Sequence, residues 1–459
     1  MAGENKSLKS RLWLWLAVLI MLPVVWILAI FLEGEAPNAV LELTSGGIGR
    51  SGELSVSASD KKRGLRRLWI DLFKDGKETV LFEKDFERSG WFSGGMDHEA
   101  SFKVTVEPGK LGISDGKALI RLSVRDYSWR KWLKGNLTYL EKEVMIDTQP
   151  PKVDILTRVH NLGQGGAGLV IYRVSESGTI SGVQVGGNFF PGYGGYFKDS
   201  DICMALFALG YDQGPGTTIH VSARDAAGNS TMAGFPYHIR KTRYPEDRIN
   251  ISDRFLDWKL PEFADEIPSD TPQSPVDRFL WVNRNLRNQS IEKICEITQQ
   301  TDSDIHWKGA FLRLPNSATR AGFGDRRKYL YEGRMIDEQI HLGIDLASLA
   351  QSPVPASGSG KVVFTDSIGI FGRTVVIDHG FGLFTTYSHL SAVDVQPGQV
   401  VARGENLGRT GTTGMAGGDH LHYGVMVHHV FVNPLEWWDA SWIENNITSK
   451  IEDVKSGLN

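Results

Sequence analysis

The chain has one long apolar run near its start, followed by many short stretches in which apolar and polar residues alternate. The long run, Leu12 to Leu32, holds no charged residue. A stretch of about 20 apolar residues is enough to cross a bilayer as a helix, and Pro23 is tolerated inside such a helix. We therefore expect a transmembrane helix over 12–32. A cleaved signal peptide is the alternative, but the run exceeds the usual h-region and no small-x-small site closes it.

The charges on either side of this run predict its orientation. Basic residues precede it and acidic residues follow it, namely Lys6, Lys9 and Arg11, then Glu33 and Glu35. Because basic flanks stay on the cytoplasmic side, we expect a cytoplasmic N-terminus over 1–11 and a single pass through the cell inner membrane. The bulk of the chain would then lie in the periplasm.

Alternating stretches separated by Gly and Asp turn signals fill the region after the apolar run. The clearest are Leu54–Ser57, Leu68–Leu72, Phe102–Val106 and Leu119–Val124. Several short strands at this spacing predict a β-sandwich over 38–148.

The same pattern returns over 150–241, after the stiff junction Pro150-Pro151. Ser123-Val124-Arg125-Asp126 recurs as Ser222-Ala223-Arg224-Asp225, at an offset about the size of one immunoglobulin-like domain. We expect two tandem immunoglobulin-like modules that act as spacers rather than as binding modules. The aromatic loop 189–197 is expected to pack on its own sandwich, with glycan contact or the covering of a neighbouring groove as alternatives.

Helical spacing replaces alternation over 244–304. Ser274 and Pro275 have the pattern of a helix start, and a second helix is expected to begin at Ser290. We interpret this segment as a helical connector; a regulatory segment lying across a catalytic groove is the alternative.

Strand patterns return in the last part of the chain, over 307–440. Examples are Lys361–Phe364, Thr374–Ile377 and Val400–Val401. They predict a compact antiparallel β domain, and the polar tail 441–459 is expected to add one short helix. The predicted fold class is therefore mainly β, with one transmembrane helix and a short helical connector.

Composition adds few constraints to this picture. A chain of 459 residues is expected to hold two to four domains. The formal net charge of -4 gives no electrostatic case for a nucleic-acid partner. Cys203 and Cys295 lack C-x-x-C spacing, which excludes a thiolate zinc cage; a disulfide and two free thiols are equally compatible with the sequence.

The chemistry is concentrated in histidines of the last domain. His420 and His422 flank Leu421 at the start of a predicted strand, so both imidazoles would point to one face. Far upstream, His341 and Asp345 would share a side in either a strand or a helix. Two imidazoles and one carboxylate fit a catalytic zinc site with a fourth position left for water. We predict that His341, Asp345 and His422 bind one Zn²⁺ per chain.

No Glu lies beside these histidines as in H-E-x-x-H proteases, so other groups must transfer protons. His389 and His420 are the candidates, since imidazole has a pKa of about 6.5. Zinc can lower the pKa of its water to about 7, which makes a nucleophile available at neutral pH. His379 is predicted to be structural, and His428 and His429 to be surface residues beyond the site.

Six short motifs accompany these histidines in a characteristic order. They are His341–Ala347, Pro353–Ala356, Gly360–Val362, Asp378–Gly380, Tyr387–Leu390 and His420–His422. In these residues the chain resembles the lysostaphin-type (LytM-domain) zinc endopeptidases of peptidoglycan, over roughly 311–438.

The resemblance implies a β-sheet groove with zinc at its floor. It matches His341, Asp345 and His422 to the zinc ligands, and His389 and His420 to the catalytic histidines. Phe323-Gly324 and Arg327 belong to the start of the matching region. Gly418-Asp419 departs from the Gly-Pro that is common in the family.

The predicted function is that of a membrane-anchored zinc endopeptidase that hydrolyses peptide cross-links of bacterial peptidoglycan during cell-wall remodelling. One alternative is a non-catalytic binder, or an activator of another hydrolase, that uses the same groove. Another is an enzyme inhibited by its own segments 244–304 or 189–197. Family members cut either glycyl-glycine bridges or bonds that follow a D-alanine, and the membrane anchor favours the second. A regulatory protein partner is left open.

Overall fold

The computed structural model describes residues 4–90, 93–272 and 274–457. The chain divides into two compact units, Met1–Pro151 with Arg224–Ser230, and Lys152–Ala223 with Thr231–Asn459. The predicted segments 1–11, 38–148, 244–304 and 441–459 each include residues outside the described ranges.

The first unit begins with the helix Glu4–Phe31. Its part Arg11–Phe31 has 21 residues and a mean hydropathy of 2.8, which makes it long and apolar enough to cross a membrane. Pro23 lies inside the helix. The run of apolar residues thus forms one continuous helix, as its pattern predicts.

Two antiparallel sheets follow in this unit. Their strands, in spatial order, are Asn38–Leu43, Gly52–Ser59 and Glu99–Val106 in one, and Lys77–Asp85, Leu65–Lys74, Gly116–Asp126 and Leu137–Ile146 in the other. A strand pair Arg88–Gly90 and Gly94–Gly95 and two short helices, Pro108–Leu111 and Arg130–Leu133, complete the unit. Alternate residues of both sheets, such as Val56 and Ile120, are buried in one core, which is why the sequence alternates.

The second unit starts with three small sheets. Their strands are Val153–Ile155, Ala167–Val174 and Ile202–Ala208; Asn188–Pro191, Ile180–Val185, Ile219–Arg224 and Ser230–Gly234; and the parallel pair Asn161–Gly163 and His238–Arg240. The aromatic loop contacts the last domain, although it was expected to pack on its own sandwich. Tyr193 contacts the ring of Phe381 at 5.0 Å between centroids, and Phe190 stacks on His429 at 5.8 Å, so the loop is anchored on the last domain.

The connector contains a strand as well as helices. Glu246–Ile251 pairs in parallel with Arg326–Tyr331, which pairs antiparallel with Arg334–Ile340. Two short helical segments follow, Asp253–Lys259 and the 3-10 turn Leu260–Phe263. The connector is therefore built into the sheet structure of the last domain.

The helix predicted to begin after Ser274 is present as Pro275–Trp281. It continues through a π-helical turn, Val282–Leu286, into Arg287–Ile297. The expected second start at Ser290 is wrong, because the Ser290 hydroxyl donates to the Leu286 carbonyl inside the helix and does not cap a new one. Ser290 Oγ also accepts from the Ile370 amide, a distant partner that the local sequence does not reveal.

A large antiparallel sheet dominates the last domain and confirms the predicted class. In spatial order its strands are Ala318–Ala321, Ile344–Ala347, Leu421–Val427, Leu383–Ser388, Gly372–Asp378, Gly360–Ile368 and Val400–Val401, with Val430–Val432 paired to Leu421–Val427. A smaller sheet contains Pro353–Pro355, Asn406–Arg409 and Ala392–Val393. The strand Leu421–Val427 lies in the interior of the large sheet and is buried along its whole length.

The chain ends in helices that are longer than expected. They are Pro434–Trp438, Ala440–Ile443, the π-helical turn Glu444–Thr448, and Ser449–Gly457. Ile443, Ile447 and Ile451 are buried, and their i, i+4 spacing places them on one helix face. The segment described as a polar tail therefore has an apolar side that joins the core.

Two predictions outside the site are resolved by burial and distance. His428 is buried, contrary to expectation: its amide donates to the Gly382 carbonyl, and its ring stacks near that of Tyr193. His429 is exposed, as predicted. Cys203 and Cys295 are free thiols.

Candidate metal centre and active site

The sheet brings His341, Asp345 and His422 together. Asp345 on Ile344–Ala347 is the direct cross-strand partner of His422 on Leu421–Val427. His341 precedes the Asp345 strand, where its amide donates to the Asp325 carbonyl. Side chains of directly opposed residues lie on the same face of a sheet, so register alone places the carboxylate beside the imidazole.

The facing atoms of these three side chains form a small triangle. His341 Nε2 lies 3.0 Å from Asp345 Oδ1 and 2.9 Å from His422 Nδ1, and His422 Nδ1 lies 2.9 Å from the same carboxylate oxygen. All three residues are buried, with exposed fractions of 3%, 7% and 4%. Such a convergence of nitrogen and oxygen lone pairs is the donor set that Zn²⁺ accepts.

Hydrogen bonds set the tautomer that a metal ligand needs. His341 Nδ1 lies 2.8 Å from the Gly322 carbonyl oxygen; a carbonyl only accepts, so the proton is on Nδ1 and the Nε2 lone pair faces the pocket. This arrangement is typical of metal-binding histidines. His422 Nε2 is buried and has no hydrogen-bond partner among the described residues.

Gly343 makes room for this arrangement. A Cβ atom at this position would lie 2.6 Å from His422 Nε2 and also 2.6 Å from Cε1 of the same ring. Any side chain there would displace the imidazole, which explains why glycine separates His341 from Asp345 in the motif.

Arg327 fixes the other side of the carboxylate. Its Nη2 donates to Asp345 Oδ2 at 2.5 Å, so one oxygen faces the guanidinium and the other faces the histidines. The region of family resemblance includes Arg327 near its start but gives no indication of this contact, because Arg327 lies on the separate strand Arg326–Tyr331.

The electrostatics favour the ligand forms of these groups. Burial raises the pKa of Asp345, but the imidazoles of His341, His420 and His422 outweigh it and hold that pKa well below its ordinary value. Burial lowers the pKa of His422 to about 4. Metal binding requires deprotonated carboxylate and neutral imidazole, and these are the forms that the pocket stabilises.

His389 and His420 lie beside the triangle. The His389 ring is 4.9 Å from that of His420 and 5.7 Å from that of His422, centroid to centroid. His420 Nε2 is 3.5 Å from Asp345 Oδ1. The structure therefore brings all five residues singled out in the sequence into one pocket.

Backbone carbonyls orient both of these outer histidines. His389 Nδ1 donates to Thr413 O at 2.8 Å, and His420 Nδ1 donates to Gly418 O at 2.7 Å. Each ring thus keeps its proton on Nδ1 and presents Nε2. Sequence reasoning missed these carbonyl partners, because a main-chain acceptor has no residue-type signature.

The Asp345 carboxylate gives the two outer histidines different affinities for protons. Burial, together with the rings of His420 and His422, lowers the pKa of His389 well below its ordinary value. Burial would also lower the pKa of His420, but its hydrogen bond to the Asp345 carboxylate reverses the effect and raises that pKa.

His379 is structural, as predicted. Its Nδ1 lies 2.8 Å from Ser359 O and its Nε2 lies 2.7 Å from Thr385 Oγ1. Both ring nitrogens are therefore engaged within the fold, and burial lowers the pKa of His379 to about 4.

Comparison with known proteins supports this interpretation of the last domain. Peptidoglycan DD-endopeptidase ShyA of Vibrio cholerae is 43% identical over 130 residues, which are 28% of this chain and 30% of that protein. DD-carboxypeptidase/endopeptidase Mpg of Neisseria meningitidis is 40% identical over 97 residues, 21% of this chain and 22% of that protein. The chain thus matches less than a third of the length of these curated relatives.

Three solved structures were also found to be similar to this chain, each with a low TM-score. A structure described as peptidase M23 from Pseudomonas aeruginosa is 20% identical with a TM-score of 0.38, covering 59% of this chain and 93% of that one. The catalytic domain of lysostaphin from Staphylococcus simulans is 26% identical with a TM-score of 0.24, covering 28% and 98%. A zinc containing peptidase from Vibrio cholerae is 14% identical with a TM-score of 0.24, covering 89% of each chain.

The strand that carries Asp345 and the strand that carries His422 both lie inside the segment that a family model matches. That model is described as Peptidase family M23. Residues 339–434 of this chain are a domain of peptidase family M23.

Proposed function

We propose that this protein is a membrane-anchored zinc endopeptidase that hydrolyses the peptide cross-links of bacterial peptidoglycan. The observation that carries the proposal is the triangle of His341 Nε2, Asp345 Oδ1 and His422 Nδ1, inside a domain of a peptidase family. The relatives named peptidoglycan DD-endopeptidases support the substrate and favour bonds that follow a D-alanine over glycyl-glycine bridges.

In the proposed site, His341, Asp345 and His422 hold one Zn²⁺. The ion supplies Lewis acidity toward the scissile carbonyl. Arg327 holds Asp345 Oδ2, which keeps Oδ1 directed at the two imidazoles.

His389 and His420 move the protons in this proposal. The Thr413 carbonyl keeps the proton of His389 on Nδ1, so Nε2 is free to accept a proton from the attacking water. His420, held through Nδ1 by the Gly418 carbonyl, presents its own Nε2 for transfer to the leaving amine. Positioned acid–base groups of this kind contribute about two to four powers of ten in rate.

The N-terminal helix supports the proposed location. Its 21-residue apolar part is preceded by basic residues, and a substrate in the cell wall requires the domain that carries the site to lie outside the cytoplasm. We propose a single pass through the inner membrane, a periplasmic catalytic domain, and immunoglobulin-like modules over 38–148 and 150–241 that act as spacers.

Digestion of cross-linked cell wall by the full-length chain tests the proposal. We expect the zinc-loaded protein to release uncross-linked peptides, identified by mass spectrometry, and a chelator to stop release. His422→Ala should lose bound zinc and activity together. His429→Ala, an exposed histidine of the same hairpin, should keep both. No cleavage by the zinc-loaded wild type, or full cleavage by His422→Ala, would overturn the proposal.

A further inference from the structure

An ion pair between a buried lysine and an exposed glutamate of the connector contacts the loop that orients His389. Lys259 lies at the end of Asp253–Lys259 and Glu262 lies in Leu260–Phe263. Lys259 Nζ donates to Glu262 Oε1 at 2.7 Å. Lys259 is only 1% exposed, and burial of an ammonium group is costly unless it is paired and hydrogen-bonded.

Both members of this pair hold the backbone of the loop 412–414. Lys259 Nζ donates to Thr412 O at 2.5 Å. Glu262 Oε2 accepts from the Gly414 amide at 3.0 Å. The residue between these two contacts is Thr413, whose carbonyl accepts the Nδ1 proton of His389.

The segment that carries the pair is firmly seated. Ser252 caps the helix by accepting from the Phe255 amide, and Leu256, Leu260 and Phe263 are buried in the core of the same unit. The segment that carries Lys259 and Glu262 is therefore anchored in the core. The pair can fix the position of the loop, because it does not move freely with the loop.

The loop itself is tightly constrained on its other side. A Cβ at Gly372 would lie 2.4 Å from the Thr413 carbonyl carbon, and Thr413 Oγ1 accepts from the Arg373 amide at 3.0 Å. Small movements of Thr413 are thus transmitted to neighbouring backbone and to the imidazole that its carbonyl holds.

We propose that Lys259 and Glu262 are positioning residues for His389, acting through the carbonyl of Thr413. This inference rests on the proposed function and extends its machinery to the connector, because both residues lie upstream of the family match at 339–434. Misplacement of a catalytic group by about 1 Å can reduce the rate by about 100-fold, so two contacts on one loop are enough to matter.

Kinetics of full-length variants on cross-linked wall peptide test the inference. Lys259→Met keeps the unbranched stem and removes the ammonium group. We expect kcat to fall by about 10- to 100-fold with KM and zinc content unchanged. Lys293→Met is the matched control: Lys293 also pairs with a Glu three residues on, Glu296, but is largely exposed, and kcat should stay at the wild-type value.

A double-variant cycle distinguishes positioning from general damage. In the His389→Ala background, Lys259→Met should cause no further loss, because the residue it positions is gone. Amide exchange in the metal-free chain gives a readout without catalysis: the Gly414 amide should exchange faster in Lys259→Met than in Lys293→Met.

The outcomes separate the two proposals. An inactive wild type overturns the proposed function itself. An active wild type with unchanged kcat in Lys259→Met, or an equal further loss in the His389→Ala background, overturns the positioning role. If Lys259→Met does not fold, Glu262→Gln is measured in its place: it keeps an acceptor for Gly414 and removes the charge that pairs with Lys259, and it should show the same fall in kcat only.

Discussion

The candidate metal centre and a cluster of acidic residues in the first unit look alike at first sight. His341, Asp345 and His422 offer ligand atoms within 4.8 Å of one another, and so do Glu33, Asp60 and Asp126, which we term the acidic cluster. All six residues are buried. Proximity of ligand-type side chains does not by itself separate the two regions.

Hydrogen-bond donors separate them. Asp60 Oδ1 accepts from three backbone amides, those of Lys62, Arg63 and Gly64. Asp126 accepts from the amides of Ser128 and Asn136 and from the Asn136 side chain. Glu33 pairs with Lys62 at 3.7 Å.

In the metal centre, by contrast, the inward-facing lone pairs have no polar neighbours among the described residues except one another and the nearby imidazoles. Arg327 donates to the outward oxygen of Asp345. Donors occupy the carboxylates of Asp60 and Asp126, so these two residues stabilise loops, whereas Glu33 Oε1 is buried with no hydrogen-bond partner among the described residues. In the part of the chain that the structure describes, no backbone amide donates to the inner side of the metal centre, which leaves its lone pairs available to a cation.

After the loss of zinc and activity expected for His422→Ala, the next largest effect is expected from an outer histidine beside the metal centre. His389→Ala should reduce kcat by about two to four powers of ten while the zinc content stays at the wild-type value, since His389 is not one of the three inward-facing groups. Metal analysis and turnover on the same preparation check this. Loss of zinc in His389→Ala would show that His389 also contributes to zinc binding.

A smaller effect is expected when the outward oxygen of Asp345 loses its partner. Arg327→Met should weaken zinc binding by about 10- to 100-fold, the range for groups that orient metal ligands, as measured by competition with a chelator. Arg326→Met is the control, because the neighbouring Arg326 pairs with Glu338 and does not contact Asp345. Equal affinity in both variants would mean that the histidines alone orient the carboxylate.

The smallest effect on the metal centre should come from the acidic cluster. Asp126→Ala removes the acceptor of two buried amides and should destabilise their region by about 1–3 kcal/mol, without altering zinc content. Faster exchange of the Ser128 and Asn136 amides, with the exposed Asp85→Ala as control, checks this. If calcium slows that exchange in the wild type but not in Asp126→Ala, the acidic cluster binds cations after all.

Local pattern predicted many of the strands, and residue type, spacing and family resemblance together predicted the groups that meet in the pocket. Leu421–Val427 alternates because one face carries His422 and the other packs in the core. The five site residues were identified from residue type, spacing and family resemblance, and the register that joins Asp345 to His422 agrees with them.

The remaining features depend on partners that are distant in the sequence. His428 is buried because Tyr193 and the Gly382 carbonyl cover it. The local sequence of the turn that contains His428 does not indicate either partner. The strand Glu246–Ile251 forms only because Arg326–Tyr331 lies beside it. The apolar face of the last helix, in contrast, has a signal in the spacing of Ile443, Ile447 and Ile451, and the description of this segment as a polar tail missed it.

The cross-strand pairing of Asp345 with His422 has a consequence for biosynthesis. The two residues are 77 positions apart in the chain. A nascent chain in which the strand Leu421–Val427 has not yet been synthesised cannot form the triangle of donors. The donor triangle therefore forms only when the strand Leu421–Val427 has joined the sheet beside Ile344–Ala347.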